Sequence, residues 1–197
     1  DVCGASANAT AERPRSVFVN HDNALPFPDF STALNAAAGS GSVQIVESLI
    51  RKGAEVDGHL VYALQLAAGE GHDDVVKVLL EHGALVNKNL PENEELGFFS
   101  GTALQAACDN KRTRIVDTLL KHGADPNLGG GPFTNPITAA TQKDEPEILR
   151  LLLHADGINV NVVGGEDLST PLINAAAYMS VESVELLAKH GADIDAR

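Results

Sequence analysis

TALQAACDNKRTRIVDTLLKHGADPN, residues 102–127, decides the fold, because close relatives of this stretch recur along the chain. The copies begin at Ser31-Thr32-Ala33-Leu34, Tyr62-Ala63-Leu64, Thr102-Ala103-Leu104, Asn135-Pro136-Ile137 and Thr170-Pro171-Leu172. They close at Gly53-Ala54, Gly83-Ala84, Gly123-Ala124, Asp156-Gly157 and Gly191-Ala192. Self-similarity at a period of roughly 33 residues marks stacked supersecondary units, none of which buries its apolar face alone. Within the quoted unit, Thr102 offers a hydroxyl cap before an Ala- and Leu-rich run to Asp109, and Arg112–His122 carries Ile115, Val116, Leu119 and Leu120 at helical spacing. The unit is therefore a helical hairpin. Ala106 and Ala107 leave room for close helix approach, and the Ile115/Leu119 face fills the groove between units. Gly123 supplies the positive φ that ends the second helix, and Asp125 and Asn127 favour the turn that carries the chain onward.

The other copies keep this logic, with Val75-Val76-Lys77-Val78-Leu79-Leu80 and Val184-Glu185-Leu186-Leu187 as second-helix cores. Unit four deviates: Pro146 falls in the first turn of its second helix, and its ending, Leu153-His154-Ala155-Asp156-Gly157, is one residue longer. It is expected to be the least regular joint. Because the core runs from unit to unit, the five units form one array rather than separate domains. With six Phe, two Tyr and no Trp, packing falls to small and aliphatic side chains.

These residues resemble the ankyrin repeat, whose pattern is a Thr-Pro-Leu-His-x-Ala-Ala first helix, a Gly-His link, an Ile-Val-x-Leu-Leu-Leu second helix and a Gly-Ala-Asp-Val-Asn ending. Gly71-His72 keeps the link; Gly123-Ala124-Asp125-Pro126-Asn127 and Gly191-Ala192-Asp193-Ile194-Asp195 keep the ending. Gln65 and Gln105 stand where the pattern has His, and the Thr-Ala-Leu-Gln-Ala-Ala variant is similar to fungal ankyrin proteins. The resemblance implies an all-α solenoid of five helix-turn-helix units with projecting finger loops, at about 30–58, 59–88, 89–128, 129–162 and 163–197.

Residues 1–29 match no unit. They divide into a small-residue tail, expected to be disordered, and a segment with Val17, Phe18, Val19 and Phe27 that would cap the first unit. The chain opens with Asp1 rather than Met and closes where a sixth unit would begin, which predicts either further repeats in the full protein or a self-capping last helix. Gly53 to Gly83 is 30 residues, whereas Gly83 to Gly123 is 40, so residues 88–101 hold an insertion in a finger. Its Phe98-Phe99 pair is costly to leave wet and either folds back over the first helices or meets a partner.

Twenty-seven acidic against 14 basic residues give a formal net charge of −13, which disfavours nucleic acid and anionic lipid and favours a partner with a basic surface. Lys111-Arg112-Thr113-Arg114 reads as a solvated helix start. Cys3 and Cys108 are too few for a disulfide framework, which points to cytosol or nucleus, and no apolar run approaches the ~20 residues of a membrane span. No Gly-x-Ser-x-Gly, His-Glu-x-x-His, Cys-x-x-Cys or Gly-x-x-x-x-Gly-Lys pattern occurs, so no catalytic residue, metal or cofactor is assigned. His82, His122, His154 and His190 recur at the ends of second helices, where dipole and free carbonyls explain them. Cys108 reads as a small buried side chain.

On the ankyrin pattern the variable concave positions include Glu70, Asp109, Asn110, Gln142, Lys143, Asn174 and Tyr178. Finger positions add His59, Phe98, Phe99 and Phe133. The leading expectation is a non-enzymatic module that binds a protein or peptide there. Two readings stay beside it: a small-molecule or unconventional catalytic pocket closed over His59, Glu70, Asp109, Lys143 and Tyr178, and a spacer between other domains.

Overall fold

The structure, a computed structural model, describes residues 32–58, 62–89, 101–129, 135–164 and 169–196. Among them ten helices pair into five hairpins: α1 Ala33–Gly39 with α2 Val43–Arg51, α3 Ala63–Glu70 with α4 Asp73–Glu81, and α5 Ala103–Asp109 with α6 Thr113–Lys121. α7 Pro136–Gln142 with α8 Pro146–Leu153 and α9 Pro171–Ala177 with α10 Val181–Lys189 complete the set. First helices stack on first helices and second on second. The expected N-terminal cap and the Phe98-Phe99 insertion lie outside the described residues.

Sequence chemistry accounts for each boundary. Thr102 sits in extended backbone and its Oγ1 accepts the Gln105 N–H at 3.1 Å, which satisfies one of the free donors of α5. Thr32, Asn135 and Thr170 do the same for Asn35, Thr138 and Ile173. Pro136, Pro146 and Pro171 occupy the first helical position, where a missing N–H costs nothing, so Pro146 begins α8 without a kink. At the other end of the hairpin Gly123 adopts φ +83°, and the Ala124 N–H turns back to the Leu119 carbonyl at 3.0 Å. Ala54, Ala84 and Ala192 repeat that bond to Leu49, Leu79 and Leu187. In unit four the Ala155 N–H makes the bond to Leu152, at 3.0 Å, that Gly123 makes to Leu120, and the left-handed glycine, Gly157 at φ +75°, follows two residues later.

The core is one strip. Leu34, Leu64, Leu104 and Ile137 open the first helices, Leu79, Leu119, Leu152 and Leu187 fill the second, and all are buried. The small side chains Ala67, Ala107, Ala140 and Ala175 lie wholly inside and let the first helices approach one another more closely than the second helices do.

Polar ties hold adjacent units in register. In the turns after the second helices, Asn87, Asn127 and Asn161 each reach one unit forward. Their Nδ2 groups donate to the carbonyls of Gly123, Gly157 and Gly191 at 3.0, 2.8 and 3.2 Å, and their Oδ1 atoms accept from the N–H groups of Asp125, Asn159 and Asp193 at 2.7–2.8 Å. Between the helices of units two and three runs a second set of ties, pointing backward. His72 Nε2 meets the Gly39 carbonyl at 2.9 Å, and Arg112 Nε donates to the Gly69 carbonyl at 3.1 Å. A Cβ on Gly71, whose φ is +92°, would lie 2.9 Å from that Arg112 Nε, so glycine here admits the guanidinium as well as the turn. Lys111 holds the equivalent left-handed position of unit three and bonds forward, to Glu145 at 2.6 Å and to the Lys143 carbonyl at 3.0 Å. The basic cluster that reads in sequence as a solvated helix start is thus partly structural.

Candidate functional site

Corresponding positions of successive units become neighbours in a stack, so the residues that close the first helices form a row: Glu70, Asn110, Lys143 and Tyr178. Glu70, Asn110 and Tyr178 are exposed and Lys143 is half-buried. Asn110 Nδ2 donates to the Ala106 carbonyl at 2.9 Å, which fixes its amide against the end of α5. Tyr178 continues into Met179 and Val181, which are 86% and 71% exposed, so the row ends on an apolar edge. Sequence reasoning singled out Tyr178 but not these two neighbours, although both stand where units three and four carry polar or proline residues.

One position deeper, Asp109 and Gln142 are partly buried. Asp109 ends α5, and the equivalent residue of the preceding unit, Gly69, has no side chain to meet it. Its Oδ1 is buried with no hydrogen-bond partner. Burial raises the Asp109 carboxyl from 3.8 to about 7, against the opposing pull of the Lys143 ammonium. The carboxyl therefore titrates near neutrality within a row of acid, amide, cation and phenol.

Not every expected residue joins the row. Asn174 is buried: its Oδ1 accepts from Ser169 Oγ at 2.6 Å, so it braces the entry to α9 and is closed to a partner. This corrects its assignment to the open concave surface, and the reason is that Asn174 lies midway along α9, where the helix turns inward. His59, Phe98, Phe99 and Phe133 lie outside the described residues. Cys108 is fully buried, and burial with the nearby Asp109 charge holds its thiol well above the ordinary value, leaving it neutral. His82, His122, His154 and His190 each place Nδ1 2.6–2.8 Å from the carbonyl four residues earlier, which caps the second helices as their position predicts. An open groove of about 660 Å³ runs between α6 and α8, lined by Asp117, Leu120, Lys121, Leu151 and His154 among others, and shares no residue with the row.

The model of the family described as "Ankyrin repeats (3 copies)" matches residues 17–90, 34–130 and 128–197. The chain belongs to the ankyrin-repeat family. The crystal structure of the human ASB11 ankyrin repeat domain superposes with a TM-score of 0.69 at 27% identity, covering 82% of this chain and 69% of that one. Human transient receptor potential cation channel subfamily A member 1 is 32% identical over 98 residues, 50% of this chain and 9% of the channel subunit. Ankyrin repeat and KH domain-containing protein mask-1 of Caenorhabditis elegans is 32% identical over 133 residues, 68% of this chain and 5% of its own length. The putative ankyrin repeat protein FPV216 of Fowlpox virus is 31% identical over 87 residues, 42% of this chain and 29% of its own. The chain thus spans less than a third of each of these curated relatives. Ankyrin repeats are a generic protein–protein interaction module, and this array has that fold. No helix among the described residues is long and apolar enough to cross a membrane.

Proposed function

We propose that this ankyrin array is a non-enzymatic recognition module that binds a protein partner through the first-helix side of the stack and the adjoining finger loops. The observation that carries the reading is the row itself. A constant backbone position presents carboxylate, amide, ammonium and phenol in four successive units, so an extended segment laid across the units meets a different chemistry at each step. Tyr178 is the anchor: tyrosine combines a large apolar face with a hydroxyl, and such residues dominate the energy of protein interfaces. The finger loops, which carry His59, Phe98, Phe99 and Phe133 in the sequence, flank the same side in this reading. With 27 acidic and 14 basic residues in the chain, the fitting partner has a basic surface, and its association weakens with salt.

The test is capture of a partner from native lysate, its identification, and titration of the purified pair. Glu70→Ala, Lys143→Ala and Tyr178→Ala together are expected to weaken binding at least about tenfold, as loss of one anchor does, while the thermal midpoint stays within a degree or so of the parent. Undiminished binding by the triple variant would sink the assignment of this row.

A further inference from the structure

The joint between units three and four departs from its neighbours on the second-helix side, in charge and in shape. Asp117 of α6 stands where unit two has Lys77 and unit four has Arg150. Asp125, in the turn that follows, stands where those units have Leu85 and Asn159. Asp156 has no counterpart, since it belongs to the longer ending of unit four. All three line the groove of about 660 Å³ that opens between α6 and α8.

Much of the remaining lining is apolar. Leu120, Leu151 and Ala155 are half-buried in it, and Ala124 and Pro126 are buried. The volume lies within the range of ligand sites, and the open shape suits a short extended segment better than an enclosed small molecule. Two of the carboxylates are held in place. Asp125 Oδ1 accepts the Asn127 N–H at 2.9 Å, and Asn127 is itself tied across the joint to Gly157 and Asn159. Lys121, the one lysine or arginine of the lining, is bound to Asp117 at 2.6 Å. Asp125 and Asp156 therefore keep the groove acidic, with no further lysine or arginine in the lining to offset them. A carboxylate already ordered loses less freedom when it meets a cation.

We propose that this groove is a second recognition surface, one that takes a short extended partner segment in which an aliphatic side chain lies between lysine or arginine residues. Side chains two apart in an extended segment share a face, so the aliphatic one meets Leu120 and Leu151 while the cations reach Asp125 and Asp156. An acidic or phosphate-bearing occupant meets like charge there. The site stands on the second helices and shares no residue with the Glu70-to-Tyr178 row, so it does not rest on what that row binds.

The probe is the peptide acetyl-Arg-Ala-Leu-Ala-Arg-amide, titrated into the isotope-labelled whole chain while backbone resonances are followed. Saturable shifts are expected at Leu120, Asp125, Leu151 and Ala155, with Asn110 and Tyr178 unmoved. Asp125→Asn with Asp156→Asn, both at exposed positions, should weaken the peptide about fivefold, roughly the loss of two surface ion pairs. Ala155→Lys brings bulk and like charge into the groove and should abolish saturation. Peptides with glutamine for both arginines, or serine for leucine, should each bind more weakly than the parent peptide. The variant carrying Glu70→Ala, Lys143→Ala and Tyr178→Ala should bind it as the parent chain does, which separates this site from the row. Shifts that do not saturate, shifts gathered on Asn110 and Tyr178, equal affinity of the three peptides, or undiminished binding to the double asparagine variant each overturn the proposal. So do dilution-dependent shifts of the groove without peptide that Ala155→Lys removes, since the occupant would then be a second copy of the chain.

Discussion

Asp109 shows what a single residue acquires only when its neighbours arrive. As one of the positions at which the repeats differ it is visible in the sequence, but its buried Oδ1 and its carboxyl raised to about 7 come from packing against the adjoining units. A carboxyl whose folded value lies above its unfolded one favours the folded state most when protonated. Its contribution is therefore complete below about 4 and is lost as the pH rises through about 7. Asp109→Asn removes the ionisation and keeps the shape. Relative to the parent, this variant is expected to gain on the order of 4 kcal/mol at pH 8 and to show little difference at pH 4, which denaturant melts at the two pH values check. Equal effects at both would mean that the carboxyl does not titrate as its burial implies.

At the scale of the element, capping and turn chemistry were legible almost to the residue. Thr102, Pro146 and Gly123 begin and end helices where their side chains and φ preferences place them. What the turn residues do beyond the turn was not legible. Asn127 reads as a turn former, and its N–H does bond Asp125 Oδ1 at 2.9 Å, yet its side chain leaves the unit to pair with Gly157 and Asn159. A bond across 30 or more residues leaves no local periodicity for a sequence reading to detect. Asn127→Ala removes both inter-unit bonds from an exposed site, so a cost of about 1–2 kcal/mol is expected. Native-state hydrogen exchange should show the loss concentrated in α7 to α10, because the bonds tie unit three to unit four. Loosening spread evenly over α1 to α10 would contradict a ladder of nearest-neighbour ties.

For the whole molecule, stability is a sum of units and interfaces, so damage at the centre should divide it. Leu119 is fully buried in the middle unit. Leu119→Ala is expected to cost about 2–5 kcal/mol and to replace one unfolding transition by two when helicity and local exchange are followed together. A single cooperative loss at lower denaturant would mean that coupling between units exceeds the strength of each. By itself the sequence determined the repeat, its hairpin and its family, because capping, helical periodicity and glycine turns act within a few residues and recur five times. Only the tertiary structure decided which variable residues share a surface, that Asn174 is closed off while Met179 and Val181 are open, and that Leu120, Asp125, Leu151 and Asp156 line one groove. Those properties depend on the unit stacked above or below, and burial by a neighbour some 30 residues away is written in no single copy of the repeat.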